Sequence, residues 1–236
     1  MSGGVGDVRQ PKEEDPAAHR HRFLSFRHLN VLAVATVLSA TGMVPLADLA
    51  FFAFSLAYVP LLARFAFPAA ATAPEPPVFS GRETRALGRY VLLGAAVGLL
   101  GPTAYILAGV LGFGSREGSA AAAPHLFLLS CQVFMEGVTF AGHFSLPVRA
   151  FVPVFYNSKR MFTIADWLRA EMEAAAAEGE EQEGLTTWRR RLLLHPGRWL
   201  AMANLVFWAF NLFCFLLPVY VPRVFKRYYG QKLNTS

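Results

Sequence analysis

Charged residues are scarce in this chain, and cysteine is almost absent. Asp, Glu, Lys and Arg account for 16% of the 236 residues, whereas hydrophobic residues account for 54%. An average soluble domain carries about 25% charged residues, so the composition argues against a typical soluble enzyme and against a disordered chain. The two cysteines, Cys131 and Cys214, both lie in apolar stretches, and no disulfide framework is predicted.

Signatures of catalysis and of metal or cofactor binding are also lacking. The sequence contains no GxSxG, P-loop, GxGxxG, HExxH or CxxC motif. We therefore predict no catalytic residue, no metal ligand and no cofactor. The absence of these motifs disfavours an enzyme. The WRRR run at 188–191 is typical of an anchor at a membrane border, so nucleic acid is not expected as a partner.

Long apolar runs are what the chain has instead. A helix needs roughly 20 mostly apolar residues to cross a bilayer, and five runs approach or exceed this length. The predicted fold class is all-α: a polytopic membrane helix bundle of about five transmembrane helices, with an additional amphipathic helix in a large cytosolic loop. The predicted spanning segments are 29–44, 46–67, 89–113, 124–146 and 199–221.

These runs and the segments around them divide the chain into five predicted parts. They are a polar, disordered N-terminal tail (1–22), a membrane domain with about four spanning helices (23–156), a cytosolic loop with an amphipathic helix and an acidic linker (157–198), a last transmembrane helix (199–222) and a basic C-terminal tail (223–236).

Proline and glycine mark the predicted interruptions of the helices. They predict a Pro-rich loop at 69–88, a kink or break at Gly101-Pro102, a Gly-rich turn at 114–120, and an end of the fourth helix at Pro147 and Pro153.

The 22 Lys and Arg residues cluster beside the apolar runs. The positive-inside rule places the N-terminus and the 157–198 loop in the cytosol. The same bases suit anionic head groups, so the lipid bilayer is an expected partner. The basic tail at 223–236 conflicts with this arrangement, because five spans put it outside. Two explanations remain open: the last run is a hairpin or lies on the membrane surface, or the first helices dominate the orientation.

The fourth run carries the most specific pattern in the chain, a polar stripe on one helix face. Its members are spaced 7, 4, 3 and 4 residues apart and fall within about 60° of arc. An ionised carboxylate facing lipid is costly, so the stripe must face other helices or water. It is interpreted either as interhelical hydrogen bonding or as a path for a proton or a small solute. The stripe consists of His125, Gln132, Glu136, Thr139 and His143.

Four further residues are candidates for helix packing. Gly94 and Gly98 form a GxxxG pair that lets another backbone approach closely, and the pair would also allow two copies to form a homo-oligomer. Asn204 and Asn211 are seven residues apart on one face of the last helix and are predicted to be hydrogen-bond partners of the polar stripe.

The cytosolic loop contains an amphipathic helix at about 158–177, with Met161, Ile164 and Leu168 at helical spacing. This helix could lie on the membrane surface, pack against the protein's own loops, or bind a protein partner through the 158–184 segment.

Several strings resemble a family of plant multi-pass membrane proteins of unknown function. They are LSFRHLNVLAV from Leu24, LSATGMV from Leu38, EPPVF from Glu75, AAAPHLFLLSCQVFMEG from Ala121 and FSLPVRAFVPVFYNSKRMFTIADWLR from Phe144. The resemblance implies an integral membrane location and a plant source, but no activity, cofactor or catalytic residue. The function expected from the sequence is a structural or protein-interaction component of a membrane. The alternative is a small solute or proton transporter or channel that uses the polar stripe.

Overall fold

Five long helices make up most of the structure, a computed structural model that describes residues 34–39, 41–69, 78–79, 81–142, 144–180 and 196–235. The all-helical prediction is confirmed for this part of the chain. The helices are α1 (Leu46–Phe65), α2 (Arg82–Val110, with a π-helical segment at Ala96–Leu100), α3 (Arg116–Ala141), α4 (Leu146–Glu180) and α5 (Pro196–Phe210, the π-helical segment Asn211–Tyr220, and Val221–Thr235).

A short helical segment and a turn precede α1. Residues 34–39 are helical, and a turn at 41–42 leads towards α1. Gly42 has a φ of 71°, a left-handed conformation that glycine adopts without steric cost. This conformation cannot continue a helix, so the predicted extension of the first helix to Val44 is wrong. The predicted start of that helix lies outside the described residues.

α2 differs from its prediction at its start and in its middle. It begins at Arg82, within the segment predicted to be a loop. Gly101-Pro102 does not break it; the helix widens instead, and the Gly101 N–H bonds to the carbonyl of Ala96, five residues back. A proline lacks the N–H that an α-helical ladder needs, and a local π-helical turn is a common response to such a disruption.

α3 begins earlier than predicted because Ser115 caps it. The Ser115 hydroxyl accepts a hydrogen bond from the Gly118 N–H at 3.0 Å, which satisfies one of the free donors in the first turn. Residues 116–120 are therefore helical, and the Gly-rich turn predicted at 114–120 is confined to its beginning.

α4 runs through the prolines that were expected to end a helix. Pro147 falls in its first turn, where an intrahelical N–H is not needed, and Pro153 is accommodated further along. The predicted amphipathic helix is thus the second half of one 35-residue helix. The boundary drawn between a membrane domain and a loop at 156/157 lies inside this helix.

α5 continues beyond its predicted end. The segment 223–235, predicted to be a basic tail, is helical. Its start lies beside the first turn of α2, where Arg223 Nη1 is 3.1 Å from Glu83 Oε1. Further on, the Tyr228 hydroxyl donates to the Pro68 carbonyl at 3.2 Å.

Successive long helices run in opposite directions. The Ser145 hydroxyl donates to the Phe67 carbonyl at 2.7 Å, so the start of α4 lies beside the end of α1. These contacts define one end of the bundle, here called the basic end, which comprises residues 64–68, 82–89, 144–149 and 223–228. The opposite end holds Tyr105 and Glu171, whose side chains are 2.6 Å apart.

α4 is the central helix. No residue from Leu146 to Met161 is exposed, and the helix contacts α1, α3 and α5. Against α1 it stacks Phe155 on Phe51, with ring centroids 4.5 Å apart. Four helices are long and apolar enough to cross a membrane: Leu46–Phe65, Arg82–Val110, Arg116–Ala141 and Pro196–Gly230. α4 is not among them because it carries charged residues along its length.

Candidate functional site: a buried polar network

The polar stripe of α3 is turned towards the other helices over most of its length. His125, Gln132 and Thr139 are buried, and Glu136 is half-buried. The Gln132 side-chain amide donates to Glu136 Oε1 at 2.7 Å, while the Thr139 hydroxyl donates to the Glu136 carbonyl at 2.9 Å. The fifth member, His143, lies outside the described residues.

His125 and Asn204 donate hydrogen bonds to backbone carbonyls in the π-helical turn of α2. Pro102 has no N–H, so it cannot pair with the carbonyl of Gly98 in α-helical register or with that of Val97 in π-helical register. His125 Nε2 lies 3.2 Å from the Gly98 carbonyl oxygen; a carbonyl only accepts, so Nε2 is the donor. Asn204 Nδ2 donates to the Val97 carbonyl at 3.0 Å. Two other helices thus replace the missing donor.

Asn157 plays a similar part on α5. Its Nδ2 donates to the carbonyl of Trp208 at 3.1 Å, shortly before the π-helical segment that begins at Asn211. The change from α-helical to π-helical spacing disturbs the backbone ladder at such a point. The Trp208 indole N–H in turn donates to Asn204 Oδ1 at 3.2 Å. The hydrogen bonds to the α2 carbonyls and to the Trp208 carbonyl therefore belong to one network.

Arg160 is the most unusual member of this network. It is fully buried, and its guanidinium carbon lies 3.9 Å from the ring centroid of Trp208. Its Nη2 donates to Asn157 Oδ1 at 3.3 Å, and the Glu136 carboxylate interacts with it electrostatically. The predicted cytosolic loop at 157–198 included Arg160, whereas the structure places it in the middle of a long helix.

A second polar cluster closes the opposite end of the bundle. Glu171 is buried and accepts hydrogen bonds from the Tyr105 hydroxyl at 2.6 Å and from the Trp167 indole at 3.0 Å. Gly118 and Gly197 pack directly against the Tyr105 hydroxyl and the Glu171 carboxylate, where a Cβ would overlap them. Four helices therefore meet here. Sequence reasoning missed this cluster, since its members are far apart along the chain.

The central helix is also tied to α1. Lys159 Nζ lies 2.8 Å from the carboxylate of Asp48, which is buried. The Ser55 and Tyr156 hydroxyls are 2.5 Å apart. Asp48 lies in the first turn of α1, where a carboxylate complements the helix dipole, and it also pairs with this cation from α4.

The candidate packing residues join α2 to α5. A Cβ on Gly98 would lie 2.6 Å from Trp208 Cζ2, and one on Gly94 would lie 3.1 Å from the Phe207 ring. Asn211 Oδ1 accepts from the Tyr90 hydroxyl at 3.0 Å. Asn204 also interacts with His125 of the polar stripe, whereas the Asn211 side chain reaches Tyr90 on α2; that both asparagines pair with the stripe stays a prediction.

The chemistry of this network is that of hydrogen-bond donors, one buried cation and nearby carboxylates. Among the described residues, no group of three or more His, Cys, Asp or Glu side chains is placed to hold a metal ion. Several of the contacts donate a hydrogen bond from a side chain to a backbone carbonyl of another helix. Such contacts are common where a proline or a π-helical turn leaves a carbonyl of an apolar helix without its backbone donor.

The described part of the chain is all-helical, and four of its helices are long and apolar enough to cross a membrane. The chain belongs to a family described as a domain of unknown function, DUF7733, whose model matches residues 24–229. No curated protein and no solved structure matches the chain significantly.

Proposed function

We propose that the chain is an integral, multi-pass membrane protein that acts as a non-enzymatic structural or interaction component of its membrane. The observation that supports this most directly is the use of the polar side chains. His125, Asn204 and Asn157 each donate to a backbone carbonyl of another helix. In a bilayer no water replaces a lost backbone hydrogen bond, so such contacts hold helices together.

The proposed topology has six crossings: a helix that includes residues 34–39, followed by α1 to α5. The contacts of Arg223 with Glu83 and of Tyr228 with Pro68 support it, because they bring the C-terminal helix to the same end as residues 64–68 and 82–89. Both termini and the basic end then face the cytosol, as positive-inside reasoning favours. The earlier conflict over the basic C-terminal segment is removed, and residues 181–195 face the other side.

Topology mapping tests this proposal. Tags at the N-terminus, at the C-terminus and within 181–195 are exposed, one at a time, to a membrane-impermeant protease or label. Six crossings predict that both terminal tags report the cytosolic side and the internal tag the opposite side. A cytosolic internal tag with an external C-terminus contradicts six crossings and favours five. A chain released from membranes by alkaline carbonate contradicts the membrane assignment itself.

The interaction role is proposed for the exposed face of the second half of α4. The buried face of this half is occupied within the chain by Trp167 and Glu171, which leaves Arg169 and Met172 exposed. We expect Met172→Glu to abolish capture of a protein partner without affecting membrane insertion. Phe162→Ala, at an exposed apolar position of the same helix, is the matched control. Capture that persists in Met172→Glu contradicts this assignment.

Transport along the polar stripe is the second candidate. What supports it is that Gln132 Oε1 and two guanidinium nitrogens of Arg160, Nε and Nη1, are buried and lack a hydrogen-bond partner in the described part of the chain. Polar atoms of this kind bind water or a polar solute where room permits. The proposal predicts that Glu136→Gln still inserts into membranes, at a cost in stability because the buried Arg160 loses its negative neighbour, but abolishes proton or solute flux in proteoliposomes. Equal flux in the variant, or none in the wild type, contradicts it.

A further inference from the structure

An apolar groove runs along the seam between α2 and α5. Near the basic end it encloses about 300 Å³ and is lined by Phe79, Leu87, Tyr90 and Phe215. A second depression of about 650 Å³ shares Tyr90 and Phe210 with the first and extends it towards Trp199. The two depressions adjoin at Tyr90 and Phe210 along this seam, and both are open at the side and lined mainly by aromatic and aliphatic side chains.

Charged side chains line the groove where it opens at the basic end of the bundle. Arg223 and Glu83 form its rim and are joined by an exposed ion pair of 3.1 Å. Exposed Arg82 and Lys226 lie beside this pair along the two helices. An exposed ion pair contributes little stability, so a better acceptor could replace the Glu83 carboxylate on Arg223.

We propose that this groove binds one acyl chain of an anionic phospholipid, whose phosphate and head group are held at the rim by Arg223. The proposal rests on the proposed membrane location. A phosphate accepts bidentate hydrogen bonds from a guanidinium, and the surrounding positive charge favours an anionic over a zwitterionic head group. The cytosolic leaflet, which the basic end faces in the proposed topology, is the one that carries anionic lipids.

The depth of the groove fits one leaflet. Arg223 and Phe210 are thirteen residues apart on α5, which is about 20 Å along the axis at the α-helical rise and somewhat less with the π-helical segment between them. The hydrocarbon core of a bilayer is about 30 Å thick, so a chain that starts at Arg223 reaches the middle of the bilayer near Phe210. The π-helical segment Asn211–Tyr220 supplies this half of the α5 wall. The second depression, towards Trp199, would then belong to the opposite leaflet.

Lipid retention by the purified full-length protein tests the proposal. Native mass spectrometry in detergent would measure the apparent Kd for phosphatidylserine and for phosphatidylcholine with matched acyl chains. We expect phosphatidylserine to bind about tenfold more tightly, since both lipid phosphates can accept from Arg223 but only phosphatidylserine carries a net negative charge that the neighbouring Arg82 and Lys226 attract. Glycerophosphoserine, which has the head group without acyl chains, should bind far more weakly than the intact lipid because the groove contributes nothing to it.

Four variants make the test specific. Arg223→Gln should weaken the binding of both lipids and reduce the preference for phosphatidylserine, whereas Glu83→Gln should strengthen phosphatidylserine binding by releasing Arg223. Ala86→Trp, which fills the groove without changing charge, should abolish retention of this lipid. Arg169→Gln is the matched control, because Arg169 is also exposed and ion-paired, to Asp166 at 2.7 Å, but lies away from the groove.

Each outcome bears on one of the two proposals. Equal binding of the two lipids by wild-type protein, or no change in Arg223→Gln, overturns the lipid site. Strong binding of glycerophosphoserine also overturns it, since the groove would then be irrelevant. These results would leave the membrane assignment standing, whereas release of the chain by carbonate would contradict the membrane assignment instead.

Discussion

At the scale of single residues, Pro102 explains why two polar side chains lie in an apolar bundle. It removes one N–H from α2, and the carbonyls of Val97 and Gly98 receive hydrogen bonds from Asn204 and His125 instead. A buried carbonyl without a donor costs about 1–3 kcal/mol, which is a large share of the stability of a small domain. The effects of substituting Pro102 and of substituting His125 or Asn204 on the free energy of unfolding should therefore not be additive.

A double-mutant cycle measures this coupling. His125→Phe keeps an aromatic ring but loses the donor, and should lower the free energy of unfolding in detergent by about 1–3 kcal/mol. In a Pro102→Ala background the restored N–H can serve the same carbonyl, so the cost of His125→Phe should fall by at least about 0.5 kcal/mol. An identical cost in both backgrounds would show that the histidine acts in some other way.

Arg160 allows a second prediction at this scale. Arg160→Met leaves the half-buried Glu136 carboxylate without its positive neighbour and should lower the free energy of unfolding, because a charge within the bundle is then uncompensated. Glu136→Gln in the same chain removes the uncompensated charge and should restore much of the stability, as judged by thermal unfolding. A double variant that is as unstable as Arg160→Met would contradict the interaction between these two side chains.

At the scale of elements, the contact between α2 and α5 depends on a glycine. A Cβ on Gly98 would lie 2.6 Å from the Trp208 ring, whereas one on Gly88 would meet nothing within 4 Å. The same substitution at two positions of one helix should thus have opposite effects on stability.

We expect Gly98→Ala to lower the free energy of unfolding by about 1–3 kcal/mol, because Trp208 must move away from a tightly packed position. Gly88→Ala should be neutral or should raise stability by about 0.5–1 kcal/mol, since alanine has the higher helix propensity. The melting temperatures of the two variants in the same detergent test this. Comparable effects would mean that the helices do not meet at Gly98.

At the same scale, hydropathy alone predicts the wrong environment for α4. Its charged residues and prolines predicted a surface helix in a loop, but Arg160, Trp167 and Tyr156 are fully buried. A helix surrounded by other helices need not be apolar all round, because its charges are paired within the protein and need not face lipid. The helical spacing of α4 can be predicted from the sequence, but the helices that pack against it cannot.

At the scale of the whole molecule, the basic end joins segments far apart in sequence. Glu83 and Arg223 should be linked by a short bis-maleimide when both are replaced by cysteine in a chain without its two native cysteines. The pair Arg116→Cys and Arg223→Cys is the matched control, because these positions lie at opposite ends of the bundle. Cross-linking of the control pair within one chain, or failure of the first pair, would contradict the arrangement of the helices.

The sequence by itself determined the helical fold, the apolar runs and the polar face of α3, because composition and the 3.6-residue period are local properties. It also indicated that the polar stripe is turned away from lipid. Only the tertiary structure decided that α4 is central, that Asn204 and His125 cap carbonyls of α2, and that Arg223 meets Glu83. These depend on which helix lies beside which, and a single sequence records the face of a helix but not the surface against which it packs.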